Sequence, residues 1–167
     1  MSEPGSAEHL LGVLNRHGVK YLVIGAFAAI AQGVPLDPTE DVDLTPDRDS
    51  DNLGRLSAAL YELGARIRTA EVEDGLPFSH DAHSLAPMQM LNLTCPDGDF
   101  DLVFKPAGAP AGYSELIVRA VVVRIGEEEA HVASVEDIAR SKEEAGREKD
   151  IRALPKLRRF LRDRPQA

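Results

Sequence analysis

The period of the hydrophobic positions changes several times along this chain, and each change marks a predicted element. Ser6 can cap a helix whose apolar residues recur every three or four positions until Gly18 ends it. The next apolar run is short and uninterrupted, as in a buried strand, and a stretch of small apolar residues follows it. Two prolines then exclude regular structure. The order predicted is helix, strand, helix, loop and strand, at residues 6–18, 21–24, 26–32, 33–38 and 41–44.

The middle of the chain predicts one long helix and two β-hairpins. Asp49 or Ser50 can cap the helix, and Gly64 can end it. A short strand fits within residues 65–69, whereas the turn-rich residues 72–87 favour no regular element. Each hairpin joins two strand-like runs through a turn that contains glycine. The predicted hairpins comprise residues 88–94 with 100–104, and 120–125 with 130–132.

The C-terminal part predicts two helices separated at Gly146. The first begins at Ser134, which can cap it. The second carries apolar residues at helical spacing, so we expect a buried stripe formed by Ile151, Leu154, Leu157 and Leu161. The late arginines fall off this stripe and should face solvent; they are Arg158, Arg159, Arg162 and Arg164.

These elements predict an α/β (α+β) fold, with a mixed β-sheet flanked by helices and followed by C-terminal helices. We expect a single domain over residues 1–167, with a core at about 20–133 and a helical part at about 134–164. The chain is 43% apolar but contains no apolar run near the roughly 20 residues of a membrane span. Its first residues lack the features of a signal peptide, and Cys95 is its only cysteine. We therefore expect a cytoplasmic protein without a membrane partner.

Charge is distributed unevenly along the chain. The net charge is −9, which argues against a generic nucleic-acid coat protein. Between Asp37 and Asp51 there are seven acidic residues and one basic residue, whereas Arg140 to Arg164 contains ten basic and five acidic residues. An acidic loop and a basic tail fit an enzyme that binds a metal and a polyphosphate, although an ordinary solvated helix explains most of the tail.

Three aspartates carry the strongest chemical signal. Asp41 and Asp43 alternate with apolar residues, so both carboxylates should point to the same side of a strand. Asp101 lies in a second apolar strand, and the three would converge if the strands are neighbours. Like charges this close are unfavourable without a cation, and oxygen ligands suit Mg²⁺ or Mn²⁺. The alternative is that these are ordinary loop and cap aspartates.

Together these residues resemble the DNA polymerase β-type nucleotidyltransferase superfamily. Its pattern is a strand, a small-residue turn, a helix, an Asp-x-Asp pair and a third Asp on a later strand; Gly25-Ala26, Asp41-Val42-Asp43 and Asp101 match it. Residues 38–44 further resemble the signature of the stand-alone bacterial AbiEii-like nucleotidyltransferases. The C-terminal motif of those proteins is matched by Lys142, Arg147, Lys149 and Asp150.

The resemblance implies a nucleotidyltransferase-like fold and a metal-dependent enzyme that moves a nucleoside monophosphate from an NTP to a hydroxyl. The acceptor would be an RNA end, a small molecule or a protein side chain, with tRNA or a partner protein among the candidates. Asp41, Asp43 and Asp101 would be the catalytic and metal-binding residues in two-metal chemistry with Mg²⁺ or Mn²⁺. The nucleotide-binding residues would be Gly25, Ala26, Thr39, Lys142, Arg147 and Asp150.

The chain departs from the family pattern at two places. Ala26 occupies a position where glycine or serine usually meets the triphosphate, and the loop around Leu36 lacks the basic residue that often precedes Thr39. The departure at Ala26 favours one alternative function, a catalytically weak binding module. A component of a toxin–antitoxin or defence system is a further alternative, which concerns the biological role more than the chemistry. Lys142 could also be a surface lysine, and Arg147 with Asp150 could be an ordinary helical ion pair.

Overall fold

The computed structural model describes residues 6–164, and within that part of the chain seven strands form one mixed sheet in the order β3-β4-β5-β2-β1-β7-β6. The strands are β1 (Tyr21–Ile24), β2 (Val42–Pro46), β3 (Arg66–Ile67), β4 (Met90–Cys95), β5 (Gly98–Val103), β6 (Val121–Ile125) and β7 (Glu128–Val132). The helices are α1 (Ser6–Arg16), α2 (Gly25–Ala31), α3 (Ser50–Leu63), α4 (Ala82–Leu85), α5 (Tyr113–Leu116), α6 (Val135–Ala145) and α7 (Glu148–Asp163). The predicted cap at Ser6 concerns a side chain outside the described residues.

The strand pairing confirms the mixed sheet and both hairpins. Strands β4 and β5 pair antiparallel, as do β6 and β7. The centre of the sheet joins distant segments, because β1 pairs antiparallel with β2 and parallel with β7, and β2 pairs parallel with β5. The two strands that carry the candidate aspartates are therefore direct neighbours.

The two faces of the sheet have different environments. Val42 and Leu44 are buried in the main apolar core, which also contains the apolar residues of α1 and α3. Side chains alternate along a strand, so Asp43 points to the opposite face. That face is covered near β1 by a smaller apolar cluster around Leu22 and Leu116. The alternation predicted for β2 is confirmed.

The C-terminal helices meet at Gly146, whose left-handed backbone (φ +63°) ends α6. The Ser134 hydroxyl accepts a hydrogen bond from the Asp137 N–H at 3.1 Å, which confirms the predicted cap. The late arginines are exposed as expected. However, Ile151 is 56% exposed, so its predicted place in the buried stripe is wrong. Asp150, one position earlier, takes the inward place and is fully buried.

The weakly patterned segments differ most from expectation. Strand β3 has two residues within the predicted range 65–69, and α4 forms inside the turn-rich segment, with Asp81 capping it. Helix α5 and the 3₁₀ turn at Ile117–Arg119 were not predicted. Elements this short complete hardly one helical turn, so they leave no periodic signal. None of the helices in the described chain combines the length and apolar character needed to cross a bilayer.

Candidate functional site

Asp43 and Asp101 face each other across two parallel strands. The two residues are register partners between β2 and β5, and Asp43 is also the register partner of Ile24 on β1. Partners in register lie on the same face of the sheet, so both carboxylates point away from the core under α1 and α3. Asp41 comes just before β2 and is more exposed than Asp43.

The electrostatics of Asp43 reflect this crowding. Burial, followed by the charge of Asp101 and a hydrogen bond with its side chain, raises the pKa of Asp43 from 3.8 to about 6. The carboxylate of Asp41 contributes in the same direction, and Lys149 opposes it. Partial burial also raises the pKa of Asp41, with Arg68 opposing the rise and Asp101 adding to it. The three aspartates therefore interact electrically as one group.

The donor chemistry of this group fits Mg²⁺ or Mn²⁺. Within residues 6–164, no three or more His, Cys, Asp or Glu side chains are placed to hold a metal ion by themselves. A magnesium site does not need such a cage, because Mg²⁺ commonly binds one or two carboxylates and takes its other ligands from phosphate and water. Burial raises the pKa of Asp43 most, and the neighbouring negative charges of Asp101 and Asp41, which add to the rise, are what a divalent cation would neutralise.

Gly25 brings the backbone unusually close to Asp43. It has a left-handed backbone (φ +73°) at the turn between β1 and α2. A β carbon built at this position would lie 2.7 Å from Asp43 Oδ2, closer than any normal contact. Both the conformation and the space therefore require glycine here.

We expect Gly25→Ala to destabilise the protein by about 1–2 kcal/mol, the usual cost of a left-handed conformation for a residue with a β carbon. It should also displace Asp43 and weaken nucleotide binding. Chemical denaturation and nucleotide titration would measure the two effects. The matched control is Gly54→Ala, in the interior of α3 with nothing within 4 Å of the added carbon, which should stabilise slightly. Equal effects of the two substitutions would contradict a special role for Gly25.

All the predicted site residues line a single cleft of about 890 Å³. Its lining includes Gly25, Ala26, Thr39, Asp41, Asp43, Asp101, Lys142, Arg147 and Asp150. Thr39 supports the turn before the aspartates, because its hydroxyl accepts a hydrogen bond from the Asp41 N–H at 3.3 Å. The cleft thus has an acidic floor on the sheet and a basic wall on α6 and α7.

Asp150 organises the basic wall. Its buried carboxylate accepts hydrogen bonds from Arg147 Nε at 2.7 Å and from Lys142 Nζ at 3.4 Å. Burial acts to raise the pKa of Asp150, but the hydrogen bond from Arg147 and the charge of Lys142 outweigh it, and the pKa lies below its ordinary value. The Lys142 side chain is only 14% exposed, so it is not an ordinary surface lysine. Arg147 and Asp150 do form the helical ion pair, and they line the cleft as well.

The sequence pattern did not single out several residues of the cleft and its surroundings. Arg68 follows the very short β3, and its Nη2 donates to Asp101 Oδ1 at 2.7 Å. Met90 and Asn92 on β4 and Lys105 after β5 also line the cleft. The hairpin was predicted, and its register with Asp101 would have placed Asn92 on the same face. Nothing in the sequence placed Arg68, because β3 has only two residues.

Comparison with known proteins supports the fold. Neither a scan of protein-family models nor a search of curated protein sequences finds a match. Among solved structures, the chain is similar to the antibiotic-resistance factor ANT(2'')-Ia, with a TM-score of 0.60 and 17% identity over 93% of this chain and 82% of the other. It is similar to the lincosamide antibiotic adenylyltransferase LnuA bound to lincomycin, with a TM-score of 0.59 and 13% identity over 94% and 97%.

A third similar structure is a protein from Thermotoga maritima described as a nucleotidyltransferase. The TM-score is 0.55, with 16% identity over 98% of this chain and 97% of the other. Nearly the whole length of this chain is matched in each case. The sequence identities are too low to carry over any property beyond the fold. The narrower resemblance to AbiEii-like proteins stays a prediction. The chain described here has the fold of the nucleotidyltransferases.

Proposed function

We propose that this protein is a metal-dependent nucleotidyltransferase that moves a nucleoside monophosphate from an NTP to an acceptor hydroxyl. The observation that carries the proposal is the register of Asp43 with Asp101, which sets two carboxylates side by side at a cleft. The basic wall of α6 and α7 across that cleft complements a triphosphate. The C-terminal motif residues Lys142, Arg147, Lys149 and Asp150 line this wall, which supports the AbiEii-like subtype.

Each part of the site has a role in this reaction. Mg²⁺ or Mn²⁺ held by Asp41 and Asp43 would neutralise phosphate charge and polarise the phosphoryl group. The acceptor oxygen attacks the α-phosphorus, the bond to the β-phosphate oxygen breaks, and pyrophosphate leaves. Asp101 accepts the proton of the acceptor hydroxyl. The turn at Gly25 allows close backbone approach to the phosphates, and Ala26 offers only its N–H where a serine would add a hydroxyl.

Among the candidate acceptors we favour the hydroxyl of a small molecule. Three of the four late arginines are paired with carboxylates: Arg158 with Glu143, Arg164 with Glu136, and Arg159 with Asp163 at 3.6 Å. This pairing weakens the positive field that a polyanionic RNA would require. Two of the similar structures are an antibiotic-resistance factor and an antibiotic adenylyltransferase, which supports the same choice.

A labelling experiment tests the proposal. The purified protein would be incubated with each of the four NTPs labelled at the α-phosphate, with Mg²⁺ or Mn²⁺ and a cell lysate, and the products divided into small-molecule, RNA and protein fractions. We expect label in the small-molecule fraction, absent from a reaction with Asp43→Asn. Label in the RNA or protein fraction would show that the acceptor is an RNA or a protein instead of a small molecule. No transfer with any NTP, together with nucleotide binding, would instead favour the catalytically weak binding module that Ala26 suggests.

Lys142 provides a test of the basic wall. We expect Lys142→Ala to weaken NTP binding by about 1–3 kcal/mol, the scale of a charge-assisted hydrogen bond lost from a partly buried site. Asp150 would keep Arg147 as its partner, so the fold should remain. The control is Arg162→Ala on the exposed side of α7, and calorimetry at two salt concentrations is the measurement. Equal losses in both variants would mean that the helices act only as a diffuse positive field.

A further inference from the structure

Arg68 is held against Asp101 by three separate hydrogen bonds. Its backbone N–H donates to the Asn92 carbonyl at 2.9 Å. In the side chain, Nη1 donates to the Leu93 carbonyl at 3.1 Å and Nη2 donates to Asp101 Oδ1 at 2.7 Å. The side chains of Arg68 and Asp101 are 28% and 17% exposed. The guanidinium is thus fixed between one backbone carbonyl of β4 and the Asp101 carboxylate, and the Arg68 backbone is tied to β4 as well, so Arg68 is a built part of this site rather than a mobile surface charge.

The charges around Arg68 can be counted. Asp41, Asp43 and Asp101 contribute three negative charges to one group, and Arg68 contributes one positive charge directly bound to Asp101. Asp99 also lies 4.0 Å from Arg68, with a side chain that is 44% exposed, and its charge acts on Asp41 as well. Lys149 acts on Asp41 and Asp43 from the opposite wall. Among the three aspartates and Arg68 alone, two net negative charges remain, which one divalent cation balances.

We propose that Arg68 takes the place of the second metal ion at this site. It balances the charge of Asp101 through Oδ1 alone, and it leaves Asp41 and Asp43 to bind one divalent cation together with the nucleotide. This inference rests on the proposed nucleotidyltransferase function and changes the two-metal arrangement that the family resemblance implies. An arginine in this role stays charged at every physiological pH and cannot be removed by a chelator, unlike a metal ion. Arg68 is in this account a positioning residue for Asp101.

The test is the number of Mn²⁺ ions bound per chain. The full-length protein would be titrated with Mn²⁺ in the presence of α,β-methylene ATP, and free Mn²⁺ measured by electron paramagnetic resonance. We expect one nucleotide-dependent Mn²⁺ per chain in the wild type. Arg68→Gln should bind a second ion, because Asp101 loses its counter-charge, whereas Arg68→Lys should still bind one. The control is Arg66→Gln, an exposed arginine on β3 two residues before Arg68, which should match the wild type.

A further variant keeps the test decisive if Arg68→Gln does not fold. Asp101→Asn should retain one bound Mn²⁺, because Asp101 is bound to Arg68 and not to the cation. Two ions in the wild type, or the loss of one ion in Asp101→Asn, would overturn the inference. So would a single ion in a folded Arg68→Gln protein. An absence of any nucleotide-dependent Mn²⁺ binding in the wild type would instead count against the proposed function itself.

Discussion

The Asp43→Asn protein is expected to lose nucleotidyl transfer by about 100-fold or more and yet to fold more stably than the wild type near neutral pH. The loss follows because a neutral amide replaces a charged oxygen donor that faces the cleft, and metal-centred charge stabilisation typically contributes several kcal/mol to such reactions. The gain follows because the wild-type carboxylate is partly buried beside Asp101. Transfer assays and thermal unfolding of the same preparations measure the two effects.

The stability effect has a defined pH dependence. Because the pKa of Asp43 in the folded protein, about 6, lies above its ordinary 3.8, the folded state binds more protons than the unfolded state between these values. This residue therefore lowers the free energy of unfolding as the pH rises from about 4 to about 6, by an amount on the order of 3 kcal/mol. Asp43→Asn should remove this pH dependence, so that the variant does not lose at pH 7 the free energy of unfolding that the wild type loses between pH 4 and 6.

The matched control for this substitution is Asp74→Asn, which changes an exposed carboxylate in the loop after β3. It should alter neither transfer nor the pH dependence of stability. The account of Asp43 would be wrong if Asp43→Asn transferred at the wild-type rate. It would also be wrong if stability changed with pH in the same way in wild type and variant.

Asp150→Ala is expected to destabilise the protein by about 3 kcal/mol, because it leaves the mostly buried Lys142 ammonium without its counter-charge. The carboxylate also accepts the Arg147 N–H at 3.3 Å, so α7 would lose a hydrogen bond at its first turn. For a chain of this length the loss corresponds to a fall in melting temperature of roughly 6–12 °C. Urea denaturation at neutral pH is the direct measurement.

Two further variants separate the causes. Asp163→Ala, at the exposed end of α7, should change the stability by no more than about 0.5 kcal/mol. Combining Lys142→Met with Asp150→Leu should recover much of the stability lost in Asp150→Ala, because an apolar pair can replace a buried ion pair. The recovered protein should still bind NTP poorly. A wild-type melting temperature for Asp150→Ala would mean that the pair does not stabilise the helix junction.

The sequence predicted the parts of this structure that depend on alternation and on strong terminating residues. Val42 and Leu44 alternate with the aspartates, so the buried face of β2 could be inferred from period alone. That β2 pairs with β5 could be predicted only from the family resemblance, because parallel pairing between strands distant in sequence leaves no local signal. The position of Arg68 could not be predicted, because β3 has only two residues and so shows no alternation of apolar and polar positions.

Ile151 shows a different limit of such inference. Apolar positions at helical spacing were assigned to the core, but the helix places Asp150 inward and Ile151 in solvent. A charged residue takes an inward position when partners satisfy it, and here those partners are Lys142 and Arg147. A pattern that scores single residues cannot detect a buried pair whose members lie in two helices.

Because of the register between β2 and β5, an insertion would disrupt this site in one part of the chain and would be tolerated in another. A single residue inserted within β5 before Asp101 would turn its carboxylate toward the apolar core under α1 and α3, and the carboxylate pair would be lost in one step. The loop between β5 and α5 follows both aspartates, so insertions there leave the register unchanged. Variation in the size of the cleft mouth should therefore arise by lengthening this loop, while the spacing inside the strands stays fixed.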